Sequence, residues 1–144
     1  GLGEDEMSPA QFDEWVLPYD LAVLQTADEM ARQGRFYFNV AHLHGINLRW
    51  QPVFQRYPVH AFNWSVHHSA PTLAEARRAT RRPLMAGIDE MGLTGRTPGE
   101  VRRMVRETIE AAGREGLLVG PGCAVPTETP SDLIVAAREA CREA

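Results

Sequence analysis

The sequence contains no lysine, and all 15 of its basic residues are arginine. Catalysis through a lysine Schiff base and the Walker-type phosphate loop, which depends on a lysine, are therefore excluded. Cysteine is also scarce, with only Cys123 and Cys141. Two cysteines cannot build a disulfide scaffold, so we expect a cytoplasmic protein.

Long hydrophobic runs are absent as well. No stretch approaches the ~20 apolar residues of a membrane span, and no basic-then-apolar leader opens the chain. The net charge is −4 without a basic block, which disfavours nucleic-acid binding. Hydrophobic residues make up 44% of the 144 residues, a share typical of a globular protein. We therefore expect one soluble domain over residues 1–144, with no membrane contact.

Helical and strand patterns alternate along the chain. Ser8, Pro9 and Gln11 form the N-cap, first-turn proline and capping-box glutamine of a long helix. We expect this helix to continue to residue 33, with a kink near Leu17 because Pro18 follows. Capping boxes at 72–75 and 97–100 and a Thr-Pro-Ser-Asp sequence at 129–132 predict three later helices, and a short helix is predicted at 47–57.

Four short apolar segments are predicted as strands, at residues 35–41, 59–64, 83–88 and 116–119. The aromatic residues of the first segment, Phe36, Tyr37 and Phe38, are predicted to lie in the core. The chain is thus a helix followed by four βα units, which indicates an α/β fold with a parallel sheet. Such units form either a small open sheet or half of an eight-stranded (β/α) barrel. A half-barrel leaves two open edges, so we expect it to pair with another half.

Candidate functional residues follow the predicted strands, where parallel α/β folds place their sites. His42 and His44 are two residues apart, so in an extended segment both rings point to one side. Cys123 follows the fourth strand and would reach the same rim. Two imidazoles and a thiolate suit zinc and leave one position open for water or substrate. The alternatives are a substrate-binding or structural histidine pair and an inert, packed cysteine.

Two other groups of residues have competing interpretations. Asp89 is a candidate catalytic residue, as a partner of a ligating histidine or a substrate contact, and the alternative is a turn carboxylate. Its neighbour Glu90 must face a different way, so the two cannot both line one site. We interpret His67 and His68 as solvated loop residues. Packing roles are expected for the side chains of Trp64 and Cys141.

Four segments together resemble the C-terminal half of the uroporphyrinogen decarboxylase-like superfamily, which also contains corrinoid- and thiol-linked methyltransferases. They are SPAQFDEWVLPY, HLHG, GIDEMGLTGRTPGEVRRMV and GPGCAVPTETPSDLIVAAREA. The resemblance covers nearly all of the chain in the family's order, and the last segment is the most specific. It implies a (β/α)8 barrel, in agreement with the half-barrel expected from the alternation of strands and helices.

The resemblance also bears on the site. The decarboxylases carry a histidine where this chain has Cys123, whereas the zinc methyltransferases carry His-x-Cys after one strand and a cysteine after the last. Here His42 and Cys123 match two of those ligands, and His44 replaces the middle cysteine with another workable ligand. The resemblance thus favours the metal branch. The decarboxylase residues that bind tetrapyrrole carboxylates belong to the family's N-terminal half, and no residue of this chain takes their roles.

Three functions follow from this comparison. The first is methyl transfer to a zinc-activated thiol, with His42, His44 and Cys123 as ligands and a corrinoid on a partner protein as donor, so that Cys123 is also a candidate catalytic residue. The second is decarboxylation of uroporphyrinogen III to coproporphyrinogen III, in porphyrin biosynthesis. The third is an inactive half-barrel that serves only in assembly. A second half-barrel, from a homodimer or from a longer polypeptide, is the expected partner.

Overall fold

The computed structural model describes residues 6–144. Its centre is one sheet of four parallel strands in the order β1-β2-β3-β4. The strands are β1 Val40–Leu43, β2 Ala61–Trp64, β3 Leu84–Ile88 and β4 Leu117–Pro121. Sequential strands are neighbours throughout, which is the arrangement of successive βα units in a (β/α) barrel. The α/β half-barrel predicted from the sequence is confirmed.

Helices precede the sheet and follow each strand. They are α1 Pro9–Gln11, α2 Leu17–Arg32, α3 Trp50–Arg56, α4 Leu73–Ala79, α5 Pro98–Ala112 and α6 Ser131–Glu143, with a π-helical turn at Phe12–Val16 and a 3-10 turn at Leu93–Gly95. Among the described residues, no helix combines the length and apolar character that crossing a membrane requires.

The N-terminal helix changes its winding just before Pro18. The predicted capping box is present, since the Ser8 hydroxyl accepts from the Gln11 N–H and the Gln11 side chain accepts from the Ser8 N–H. The π turn then ends where the Leu17 N–H donates to the Phe12 carbonyl, five residues back. Proline lacks an N–H and crowds the carbonyl four residues earlier, so a wider turn accommodates it. The interruption predicted near Leu17 takes the form of this π turn, while the kink itself stays a prediction.

The core has two parts, one built on residues of β1, β2 and β3 and one built on Ile88 of β3 with α5 and α6. In the first, the Phe54 ring stacks on Phe62 at 4.3 Å and meets Trp64 edge-on at 5.7 Å. In the second, the apolar stripe of α5, which includes Val101 and Val105, packs against α6. These aromatic and aliphatic contacts hold the helices against one face of the sheet. The candidate functional residues lie at the ends of the strands.

The region before β1 differs from its prediction. The ladder with β2 begins only at Val40, so the first strand is shorter than predicted and starts later. Phe36, Tyr37 and Phe38 precede the ladder and are not core residues, and Tyr37 is 97% exposed. These aromatics lie before the paired part of an edge strand, and Phe38 stacks on the His60 ring. The helix predicted over 47–57 is also shorter, because it begins at Trp50.

Candidate metal centre

The structure brings together the three residues that the sequence singled out as metal ligands. One ligand atom each of His42, His44 and Cys123 lies within 4.8 Å of the other two. The Cys123 Sγ is 4.0 Å from His44 Nδ1, and the His42 and His44 ring centroids are 6.1 Å apart. The histidines are exposed and Cys123 is partly buried, so the group lies at an accessible rim.

Strand alternation places the histidines. Ala41 and Leu43 of β1 are buried in the core, so His42, which lies between them, faces away from it. Cys123 arrives in the turn after β4, whose Gly122 N–H donates to Glu90 Oε2 over 3.1 Å. A Cβ at Gly122 would lie 2.3 Å from the Ser65 Cα. Only glycine lets this turn approach the end of β2 so closely.

The donor chemistry of this group fits zinc. Two imidazole nitrogens and one thiolate sulfur are the ligand types that Zn²⁺ selects, and three protein ligands leave a position open for a further one. The His42 ring is also within hydrogen-bond distance of a neighbouring strand, because its Nδ1 lies 2.6 Å from the Asn63 Oδ1 on β2. Such hydrogen bonds orient the ligating imidazole in metal sites. The role of these three residues as ligands and of Cys123 as a catalytic group stays a prediction.

A cleft of about 470 Å³ opens beside His44 and Cys123. Its walls combine apolar side chains with a few polar groups, which is the usual composition of a small-molecule site. The lining also includes Leu43, Ile46, Ser65, His68, Glu90 and Met91. The geometry therefore provides room for a small substrate next to the candidate metal centre.

Glu90 is a cleft residue to which sequence reasoning assigned no function. It is 3% exposed, and its carboxylate accepts hydrogen bonds from the Ser65 hydroxyl at 2.5 Å and from the Gly122 N–H. The carboxylate thus ties the end of β2 to the turn that carries Cys123. The position of Glu90 directly after β3 indicates that it lies near the site. Its hydrogen-bond partners could not be predicted, because they come from distant parts of the chain. The hydrogen-bond partners of Glu90 differ from those of its neighbour Asp89.

Asp89 lies outside the group of three ligand candidates and binds a different histidine. Its carboxylate accepts from His68 Nε2 at 2.9 Å, from Arg96 at 2.7 Å and from the Gly92 N–H at 3.0 Å. Burial opposes its ionisation, but the hydrogen bonds from Arg96, His68 and Gly92 outweigh it and hold the pKa of Asp89 well below its usual range. A catalytic role for Asp89 stays a prediction. Asp89 contacts His68, which lines the cleft.

The loop histidines are exposed, as expected, and each also makes a hydrogen bond within the protein. His67 Nε2 donates to the Gly87 carbonyl at 3.0 Å, and His68 is bound to Asp89. Trp64 packs as expected, fully buried with its Nε1–H donating to the Pro71 carbonyl. Cys141 packs at the edge of the second core cluster, where burial raises the pKa of its thiol.

Comparison with known proteins agrees with the fold. The uroporphyrinogen decarboxylase (URO-D) family model matches residues 3–144, so the chain belongs to this family. No curated protein gives a significant match. A solved methyltransferase from Methanosarcina mazei is similar in structure, with a TM-score of 0.70 and 18% sequence identity.

The methyltransferase comparison covers the two chains unequally. It extends over 99% of this chain but only 39% of the methyltransferase chain. At this level of identity the likeness concerns the fold, which is that of a partial (β/α) barrel. Membership of the family rests on the URO-D model match, whereas the activity of this chain depends on its own residues.

Proposed function

We propose that this protein transfers a methyl group to a thiol held at a zinc ion, with a methylated corrinoid on a partner protein as the donor. The observation that carries the proposal is the convergence of His42, His44 and Cys123, whose ligand atoms lie within 4.8 Å of one another beside an open cleft. The methyltransferase fold neighbour supports the same branch of the family.

The three side chains would hold the metal and leave one position for the thiol of the substrate. Zinc, when bound there, lowers the pKa of a coordinated thiol and stabilises the thiolate, the form that attacks a methyl group. The apolar side chains of the cleft, which include Leu43, Ile46 and Met91, would contact the carbon skeleton of the thiol.

The thiol proton has an acceptor in the cleft. The Asp89 carboxylate accepts the hydrogen bond from His68 Nε2, so that in the neutral imidazole the free lone pair is on Nδ1. We assign His68 as the group that takes the proton of the entering thiol, and Asp89 as the residue that positions it. In the transfer, the sulfur forms a bond to the methyl carbon, and the electron pair of the broken donor–carbon bond stays with the donor.

Zinc reconstitution followed by a methylation assay tests this proposal. The purified chain, loaded with zinc and gel-filtered, should retain about one zinc per chain and methylate a small thiol with methylcobalamin as donor. The double variant His44→Ala with Cys123→Ser should lose both properties. Cys141→Ser is the matched control, because this second cysteine lies on α6 away from the cleft, and it should behave as wild type. A protein that stays metal-free after reconstitution would contradict the proposal.

Uroporphyrinogen decarboxylation is a second candidate, favoured by the family match over residues 3–144. It requires a proton donor and clamps for the substrate's carboxylates, and this chain has Cys123 where the decarboxylases have a histidine. Incubation with uroporphyrinogen, followed by chromatography for coproporphyrinogen, separates the two functions. Formation of coproporphyrinogen without zinc would favour this candidate over methyl transfer.

Both functions call for a closed barrel, and the sheet described here is open. Strands β1 and β4 each have one strand neighbour within residues 6–144, and Val40 and Leu118 on them are 37% and 40% exposed. We propose that a second half-barrel, from another copy or from further polypeptide, pairs with these two edge strands and covers Val40 and Leu118. Burying such edges removes the hazard of unspecific strand pairing. An assembly role without catalysis is the outcome if the half-barrels pair but neither activity is found.

A further inference from the structure

Asn63 lies on β2 next to the candidate metal centre, and its side chain contacts the other three strands of the sheet. It is 8% exposed. Its Nδ2 donates to the Met85 carbonyl on β3 at 2.7 Å and to the Pro121 carbonyl on β4 at 3.0 Å. Its Oδ1 lies 2.6 Å from His42 Nδ1 on β1. One amide side chain therefore uses both of its donors and its acceptor to join all four strands.

This network determines the orientation of the amide. The Met85 and Pro121 carbonyls can only accept hydrogen bonds, so the amide nitrogen must face them. The amide oxygen then faces His42 and can only accept, so the hydrogen must be on His42 Nδ1. In a neutral imidazole this leaves Nε2 with the free lone pair that a metal ligand needs.

We infer that Asn63 is the positioning residue of the metal centre. It fixes His42 in the tautomer that presents the Nε2 lone pair. Through Pro121 it also holds the end of β4, two residues before Cys123. Its role toward a metal rests on the proposed function, whereas its control of the His42 tautomer does not.

The tautomer is tested on the metal-free wild-type chain by ¹⁵N NMR of the imidazole rings, with the His42 signal assigned from its loss in His42→Gln. The expected result is hydrogen on Nδ1 of neutral His42. Hydrogen on Nε2 would overturn the inference. Because no zinc is present, the result is independent of the proposed function.

Zinc affinity separates positioning from a merely structural role. Asn63→Ala removes both the acceptor for His42 and the two carbonyl contacts, and should weaken zinc binding about 10–100-fold. Asn63→Asp also loses the amide donors but keeps an acceptor for His42, so it should retain the tautomer and bind zinc more tightly than Asn63→Ala does. Equal losses in both variants would overturn the inference, because the carbonyl contacts alone would then explain the effect.

A matched control is available in Asn39, which precedes β1 and whose buried Nδ2 has no hydrogen-bond partner. Asn39→Ala alters the residue just before β1 and keeps the contact between His42 and Asn63, so it should leave zinc affinity and the His42 tautomer unchanged. Thermal melts of all the variants show whether each is folded. If wild type itself binds no zinc, the proposed function fails together with the role of Asn63 toward a metal, and the NMR result decides whether Asn63 sets the His42 tautomer.

Discussion

The Cys123 Sγ lies 4.0 Å from His44 Nδ1, although the two residues are 79 positions apart and follow the two outermost strands of the sheet. Three strand-to-strand spacings, or about 14 Å, would separate the backbones of β1 and β4 in a flat sheet. The curvature of a partial barrel and the reach of the side chains close that gap. A flat open sheet, the alternative fold considered for this sequence, would not bring them together as readily.

The role of Cys123 as a thiolate ligand predicts a spectroscopic difference between the ligand variants. With Co²⁺ in place of zinc, the wild-type protein should show thiolate-to-metal charge-transfer absorption in the near ultraviolet. Cys123→Ser should abolish this absorption, because it removes the sulfur of the site. His44→Ala should weaken binding yet keep the absorption at saturating Co²⁺.

Cys141→Ser is the control for the cobalt experiment. Cys141 lies on α6, and burial raises the pKa of its thiol, which disfavours the thiolate that a metal requires. This variant should therefore give the wild-type spectrum. Charge-transfer absorption that survives in Cys123→Ser but disappears in Cys141→Ser would contradict the assignment of the ligands.

The hydrogen bonds of Asp89 predict a pH-dependent stability. Its folded-state pKa lies below its unfolded-state pKa, because Arg96, His68 and the Gly92 N–H outweigh the opposing effect of burial. The ionised carboxylate thus contributes stability that is full above the unfolded pKa of about 4 and is lost as the pH falls further. Asp89→Asn should cost about 1–3 kcal/mol at pH 7, measured by urea unfolding.

The difference between wild type and Asp89→Asn should shrink progressively as the pH is lowered below about 4. Asp13→Asn serves as a control, since Asp13 pairs with Arg56 at the surface, where both side chains are about half exposed. Its cost should stay below about 1 kcal/mol. A difference for Asp89→Asn that is constant from pH 7 to pH 3 would show that its ionisation is not the source of the stability.

Gly87 is predicted to be irreplaceable at its position in β3. Its φ is +111°, and a Cβ there would lie 2.2 Å from the Thr108 Cγ2 on α5. The Thr108 hydroxyl donates to the Gly87 carbonyl, so the helix cannot move away without losing this bond. Gly87→Ala should therefore destabilise the fold by about 2–4 kcal/mol in urea unfolding.

Gly99→Ala provides the opposite result within the same chain. Gly99 lies in the first turn of α5, and the nearest atom to an added Cβ is 4.0 Å away. Alanine in a helix restricts the unfolded chain without strain, so stability should rise by about 0.4–1 kcal/mol. If both variants proved equally stable, the close approach of β3 to α5 would not be a constraint on the fold.

The open sheet predicts self-association. If another copy covers the face that includes Val40 and Leu118, sedimentation of the 16.0 kDa chain should give a dimer. Val40→Asp should shift the equilibrium toward monomer, because a charge on an apolar interface is costly to bury. Tyr37→Ser is the control at an exposed aromatic that precedes the strand ladder. A monomer with a cooperative melt would argue against pairing between copies.

Local sequence patterns determined much of this protein. The capping boxes at Ser8, Thr72 and Thr97 and the alternation of helix and strand were enough to predict four βα units and a half-barrel. The spacing of His42 and His44 was enough to identify two of the residues that converge. These features depend on interactions within a few positions of the chain, which is why they can be read from sequence.

Only the tertiary structure decided the rest. It placed Asp89 on His68 rather than beside a ligand candidate, and it brought the Glu90 carboxylate to the turn of Cys123. It also left Phe36, Tyr37 and Phe38 outside the core, because strand pairing begins only at Val40. Each of these outcomes depends on which distant segments meet. Such contacts are set by the packing of the whole chain, and no local pattern of residues encodes them.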